Sequence, residues 1–183
     1  MNMQRNDLTI YDKVAADWWS DDIRWVRTLK NMVPGRLSYF DKFMDWQGKS
    51  VLDLGCAGGF MAEALAERGA HVTGIDPAAE AIAAAQAHAR QGNHDIRYDV
   101  GVGEALPYTD AQFDAVVCVD VLEHVSDLQK VLDETARVLK PGGRFLLDTT
   151  KRNPMPRPAA TTLPDIGLCL PPQSTPHHKI VAQ

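Results

Sequence analysis

Apolar and polar positions follow one another along this chain in two different rhythms. Residues 8 to 46 carry Trp18, Trp19, Trp25, Val26, Leu29, Leu37, Tyr39, Phe40 and Phe43 at helical spacing. Pro34-Gly35 interrupts that stretch and predicts two separate helices. From Ser50 onward short apolar runs alternate with longer amphipathic ones. SVLDL (50–54) reads as a strand, GFMAEALAERG (59–69) as a helix closed by Gly69, and HVTGID (71–76) as a second strand. The Ala-rich segment 78–92 reads as a helix closed by Gly92, and IRYDV (96–100) and FDAVVCV (113–119) as further strands. Residues 126–143 place Leu128, Val131, Leu132 and Leu139 on one helical face between an Asp/Ser start and a Pro-Gly-Gly stop, and RFLLDTT (144–150) is a fifth strand. Strands alternating with helices of this length predict an α/β fold, a parallel sheet with right-handed crossovers.

The remaining sequence sets boundaries on that core. Residues 1–48 form an N-terminal helical cap and 49–151 the α/β domain. Residues 152–183 hold seven of the eleven prolines, so this reading expects an irregular tail that offers no strand pair to complete the sheet. The net charge of −5 and the lack of a basic stripe exclude a binder that tracks nucleic-acid phosphates. Cys56, Cys118 and Cys169 match no zinc spacing and no disulfide framework, and read as reduced thiols. The N-terminal residues show no apolar signal core and no run is long enough to span a bilayer, so the expected location is cytoplasmic.

Candidate chemistry concentrates in VLDLGCAGGF (51–60). A strand that ends in Asp53 and turns through Gly55, Gly58 and Gly59 stands where open α/β sheets bind ligands, and Asp76 ends the next strand 21 residues after Gly55. A carboxylate there can accept hydrogen bonds from a ribose diol, which describes a site for an adenosine-type ligand. The dinucleotide fingerprint G-x-G-x-x-G fails twice, because Ala57 and Phe60 occupy its second and third glycine positions.

The ordered set VLDLGCAGGF, VTGIDP, GEALPYTDAQFDAVVCVDVLEHV and LKPGGRFLL resembles class I S-adenosylmethionine-dependent methyltransferases over about residues 50 to 149. A narrower resemblance, carried by YDKVAADWW, VPGRLSYF and CVDVLEHV, is to the ubiquinone-biosynthesis O-methyltransferase family, which methylates phenolic hydroxyls of polyprenylated quinol precursors. The resemblance implies a Rossmann-like fold, S-adenosylmethionine as cofactor and a small-molecule acceptor. Arg36 would reach the cofactor's carboxylate, Asp53 its ammonium, Asp76 its ribose and Val119 its edge through the backbone, with Gly55 and Gly58 clearing the turn. Ala57 in place of the family's middle glycine implies a right-handed backbone there. Family members carry an acid near position 102; here Val102 stands there and Glu104 follows, which leaves the adenine contact open.

In DVLEH (120–124), His124 with Glu123 beside it is the candidate base for the phenol proton, since an imidazole exchanges protons near neutral pH. Two other roles stay open for these residues: a cap on the next helix, or a Mg²⁺ site made by Asp120, Glu123 and His124. The family's sheet ends in an antiparallel hairpin, which this reading expects to be missing, as in a truncated chain. The alternatives to a quinol O-methyltransferase are therefore a methyltransferase for another small acceptor and a cofactor-binding remnant without turnover. The family's membrane-contacting surface makes a peripheral membrane contact a further expectation, and oligomeric state is open.

Overall fold

The computed structural model describes residues 9–149 and, as backbone, two short strands beyond them, 168–169 and 178–182. A short helix α1 (Thr9–Lys13) and a 3-10 turn (Ala15–Asp17) lead into α2 (Arg24–Phe40). The α/β part then runs β1 (Ser50–Leu54), α3 (Phe60–Ala66), β2 (His71–Asp76), α4 (Ala79–Gln91), β3 (Arg97–Val100), β4 (Phe113–Val119), α5 (Leu128–Val138) and β5 (Leu139–Thr149). These five strands are parallel, as the alternation of elements predicts, in the order β3-β2-β1-β4-β5. The order reverses between β1 and β4, which opens a crevice above their carboxyl ends.

Both faces of the sheet are covered, so its strands are apolar on both sides. Val51, Val117 and Leu146 point into one core with Leu37, Phe40, Leu65, Ile82 and Ala85 of α2, α3 and α4. Their neighbours Leu52, Val116 and Leu147 point into a second core with Val131 and Val138 of α5. Asp127 caps α5, its carboxylate accepting the Lys130 amide at 3.2 Å.

Three expectations are corrected. Pro34 does not divide the N-terminal helix: α2 is continuous through it, because the buried stripe Val26, Val33, Leu37 and Phe40 carries on across the proline. A missing amide costs one intrahelical bond, and the burial of that stripe outweighs it. The break falls instead at residues 18–23, a stretch of turns that begins with the two tryptophans and ends where α2 starts. Next, the sheet does not end at β5. Strand β7 (His178–Ala182) pairs antiparallel with β5, from Phe145 opposite Ala182 to Thr149 opposite His178, and β6 (Leu168–Cys169) pairs with β7. Proline excludes a strand only where it stands, and 168–169 and 178–182 are proline-free. The other residues of 152–183, for which an irregular course is expected, lie outside the described residues.

The third correction concerns the glycine turn. Gly55 has φ +77°, and its amide donates to the Ile75 carbonyl at 2.8 Å; a Cβ there would overlap the Val121 side chain. Ala57 also stands in the left-handed region, at φ +44°, not in the right-handed one. A left-handed alanine costs about 1 kcal/mol that glycine avoids. Ala57→Gly should therefore raise unfolding free energy by about 0.5–1 kcal/mol, measured by urea titration; a lower stability would show that the Ala57 methyl contributes more by packing than its backbone loses.

Candidate functional site

Four strands of this sheet carry an aspartate at or just past the carboxyl end: Asp53 on β1, Asp76 on β2, Asp120 after β4 and Asp148 on β5. All four cluster about the crevice where strand order reverses. A cavity of about 730 Å³ opens there, lined by Asp53, Gly55, Asp76, Val119, Asp120, Glu123 and His124 from the sheet side. Tyr11, Trp18, Trp25, Leu29, Val33 and Arg36 line it from the N-terminal helices.

Each acid has a different environment. Asp76 accepts the Ala57 amide at 2.9 Å on one oxygen and the Ala78 amide at 2.9 Å on the other, so it fastens the glycine turn to the start of α4. Burial raises its pKa while those two amides pull it down. Asp53 is buried, and one of its oxygens has no partner among the described residues. Burial, with the Asp76 charge added, pushes its carboxyl up to about 7. Asp120 has a left-handed backbone, φ +54°, held by its amide donating to the Asp148 carbonyl at 2.8 Å. Burial raises its pKa as well, against the pull of Arg36.

Arg36 is the buried cation of this group. Its Nε donates to Asp148 Oδ2 at 3.0 Å and its Nη2 to Asp120 Oδ2, so one guanidinium bridges two carboxylates. Asp120 Oδ1 and Asp148 Oδ1 remain buried without a partner among the described residues.

Other candidates fall differently. Gly58 does not line the cavity: a Cβ there would run into the Trp18 indole, and its carbonyl accepts the Trp19 indole N–H at 2.9 Å. It receives the N-terminal tryptophans. Glu104 lines the cavity, but its carboxylate accepts the Ser126 amide at 2.9 Å and the Asp127 amide at 3.4 Å, which ties it to the start of α5. His124 and Glu123 belong to a tight turn closed by the His124 amide on the Val121 carbonyl at 2.8 Å. Among the described residues no group of three His, Cys, Asp or Glu side chains converges as a metal-ligand set. Asp120 is engaged by Arg36, so the expectation of Mg²⁺ on Asp120, Glu123 and His124 does not fit this arrangement. Cys56 and Cys118 are free, buried thiols with raised pKa values.

Two site residues escaped the sequence reading. Tyr11 packs edge-on to Trp25, its ring centroid 6.1 Å away, and also contacts Trp18. Burial and then the charges of Asp76, Asp120 and Glu123 raise its pKa, so its phenol stands among the acids. Asp148 carried a readable signal, an acid closing an apolar strand as Asp53 and Asp76 do.

With that geometry in view, residues 52–147 match the family model described as a methyltransferase domain. The chain belongs to the methyltransferase domain family. A ubiquinone biosynthesis O-methyltransferase of Coxiella burnetii is 37% identical over 152 residues, 83% of this chain and 64% of that protein. The chain thus spans less than two thirds of that relative's length. Among solved structures, an S-adenosylmethionine dependent methyltransferase from Mesorhizobium loti is 25% identical with TM-score 0.57, over 64% of this chain and 52% of that one. The [4+2]-cyclase SpnF is 26% identical with TM-score 0.64, over 77% of this chain and 58% of that one. A cyclase among the neighbours of this methyltransferase domain shows that the fold alone does not name the reaction.

The Asp53 environment yields a pH dependence. Its folded pKa lies near 7 and its unfolded one near 3.8, so between those values the unfolded chain has released a proton that the folded one keeps. Stability therefore falls as pH rises from about 4 to about 7 and then levels off. Asp53→Asn should abolish that slope and gain on the wild type by a few kcal/mol, as an order of magnitude, between pH 4 and 8. Parallel stability curves for the two proteins in urea titrations across that range would refute it.

Proposed function

We propose that this methyltransferase domain binds S-adenosylmethionine in the cavity above β1 and β4 and methylates a small phenolic acceptor of the quinol type. The observation that carries the cofactor half is the excess of buried acid. Asp53, Asp76 and Asp148 are buried and Asp120 is half-buried, Arg36 is the buried cation beside two of them, and three of the acids' oxygens lack partners among the described residues. Such a site suits a ligand that brings positive charge and N–H donors, and repels the two negative charges of a pyrophosphate. The failed dinucleotide fingerprint agrees.

Residues fit the group as follows. Gly55 leaves room beside the turn, Asp53 takes the ammonium, and Asp76 keeps a second lone pair on each oxygen for the ribose diol. Arg36 keeps its Nη1 for the carboxylate, since only Nε and Nη2 serve the two aspartates. Val119 contributes its backbone. Glu104 is left out, because the Ser126 and Asp127 amides just before α5 hold it. When bound, S-adenosylmethionine supplies an electrophilic methyl group on a sulfonium. The chain's part is to hold the acceptor in line, exclude water and take the phenol proton. His124, beside Glu123, lines the cavity and serves as that base.

The acceptor class rests on two supports. The mouth is aromatic and apolar, with Tyr11 and Trp25 edge-on and Trp25 and Val102 exposed, a wall against which a planar ring stacks and an apolar tail lies. The named relative points to the same chemistry. In this reading residues 1–48 cap the pocket and 49–151 hold the cofactor. No helix among the described residues is long and apolar enough to cross a membrane; a polyprenylated acceptor would be met by peripheral contact. The strand pair beside β5 supports this reading over a remnant without turnover, since the sheet continues past β5.

Titration calorimetry tests the cofactor: heat is expected with S-adenosylmethionine and S-adenosylhomocysteine and none with NAD, and the reverse pattern overturns the reading. With a demethylated quinol or catechol, His124→Ala should lower turnover by about 10²–10⁴-fold and leave cofactor affinity nearly unchanged. Undiminished turnover would remove His124 from the base role.

A further inference from the structure

The Arg36 bridge holds an imbalance of charge. One guanidinium is shared by Asp148 and Asp120, whose side chains are 1% and 20% exposed, while that of Arg36 is 5% exposed. One cation against two carboxylates leaves a net negative charge at the wall of the cavity that Arg36 and Asp120 line. A single carboxylate partner would have left that wall neutral. The second carboxylate is not there to satisfy the guanidinium alone, because each aspartate keeps a buried oxygen without a partner among the described residues. Stability does not account for it either, since an extra buried carboxylate is costly. The surplus is fixed in place by backbone as well: the Asp120 amide donates to the Asp148 carbonyl at 2.8 Å, and Val119 stands opposite Asp148 in the β4–β5 register.

We propose that Asp148 is a specificity-determining positioning residue which, by sharing Arg36 with Asp120, keeps the cavity anionic and so selects the sulfonium form of the cofactor over the spent thioether. This rests on the cofactor reading above. The two forms share the adenosine, the ammonium and the carboxylate and differ by one methyl group and one positive charge. Surplus negative charge beside the cavity separates the two forms by that difference, because its action on the ammonium and carboxylate they share cancels in the comparison. The consequence for turnover is that methyl transfer removes the charge the pocket favours, so the product is held less firmly than the substrate by this one interaction.

The test compares two ligands on two proteins. Asp148→Asn is isosteric and keeps an oxygen for the Arg36 Nε–H, while removing one charge. Calorimetric Kd values for S-adenosylmethionine and S-adenosylhomocysteine on the full chain should show the variant's preference for the sulfonium reduced about tenfold relative to wild type, ~1.4 kcal/mol, with thioether affinity nearly unchanged. Asp148→Glu, which keeps the charge, should restore the preference. A parallel loss for both ligands, the signature of a structural role, overturns the inference while leaving the cofactor reading standing. Wild-type protein that binds neither ligand overturns both. Should Asp148→Asn not fold, Asp120→Asn removes the other carboxylate of the pair and should reduce the same ratio; an unchanged ratio there is equally fatal.

Discussion

Arg36 joins two parts of the molecule that the chain itself connects only distantly. It sits on α2 among Val33, Leu37 and Phe40, and its guanidinium reaches the carboxyl ends of β4 and β5. The helix is therefore fixed over the sheet by charge at its polar edge and by apolar packing along the rest. A buried arginine between two aspartates adds little to stability over an apolar substitute, because the desolvation of three charges offsets most of their attraction. What it sets is register: the helix can dock in one position only, and that position makes α2 a wall of the cavity.

The remaining acids follow from the same placement. Parallel strands end together, so acids at the ends of β1, β2, β4 and β5 meet at one edge of the sheet. Burial then acts on each according to its partners. Asp76 has two amides and works as a fastener for the turn. Asp53 has an unpartnered oxygen, and its carboxyl is held near neutrality on the pH scale. The left-handed backbones at Ala57 and Asp120 lie in the two loops that bound the crevice. Strain and unpaired charge thus gather where a ligand would relieve them, and the two apolar cores on either face of the sheet supply the stability that tolerates it.

The N-terminal segment closes the cavity from the side opposite the sheet. Trp18 occupies the space that Gly58 leaves, Trp19 hydrogen-bonds its carbonyl and stacks on His88 of α4, and Tyr11 reaches the acids. The glycine turn is thereby gripped from the cap side as well as from the sheet. The aromatic rings of the N-terminal segment form the apolar rim of a cavity whose floor is ionic.

Local pattern along the chain already carries the strand and helix alternation, the parallel sheet it implies, the position of the crevice and Asp53, Gly55, Asp76 and the 120–124 segment as its lining. These follow from local period and from residues that act where they stand. Tertiary structure decided what depends on a partner distant in the chain. Pro34 was tolerated because the apolar stripe of α2 has a core to enter. Gly58 proved to serve Trp18, and Glu104 the amides of α5, since the space and donors near them come from other segments. The strand at 178–182 pairs with β5, and that at 168–169 with 178–182, only because their short proline-free runs meet an open edge. The meeting of Arg36 with Asp148, 112 positions apart, was invisible in the sequence for the same reason: charge pairing is set by proximity in space, and only the folded sheet supplies it.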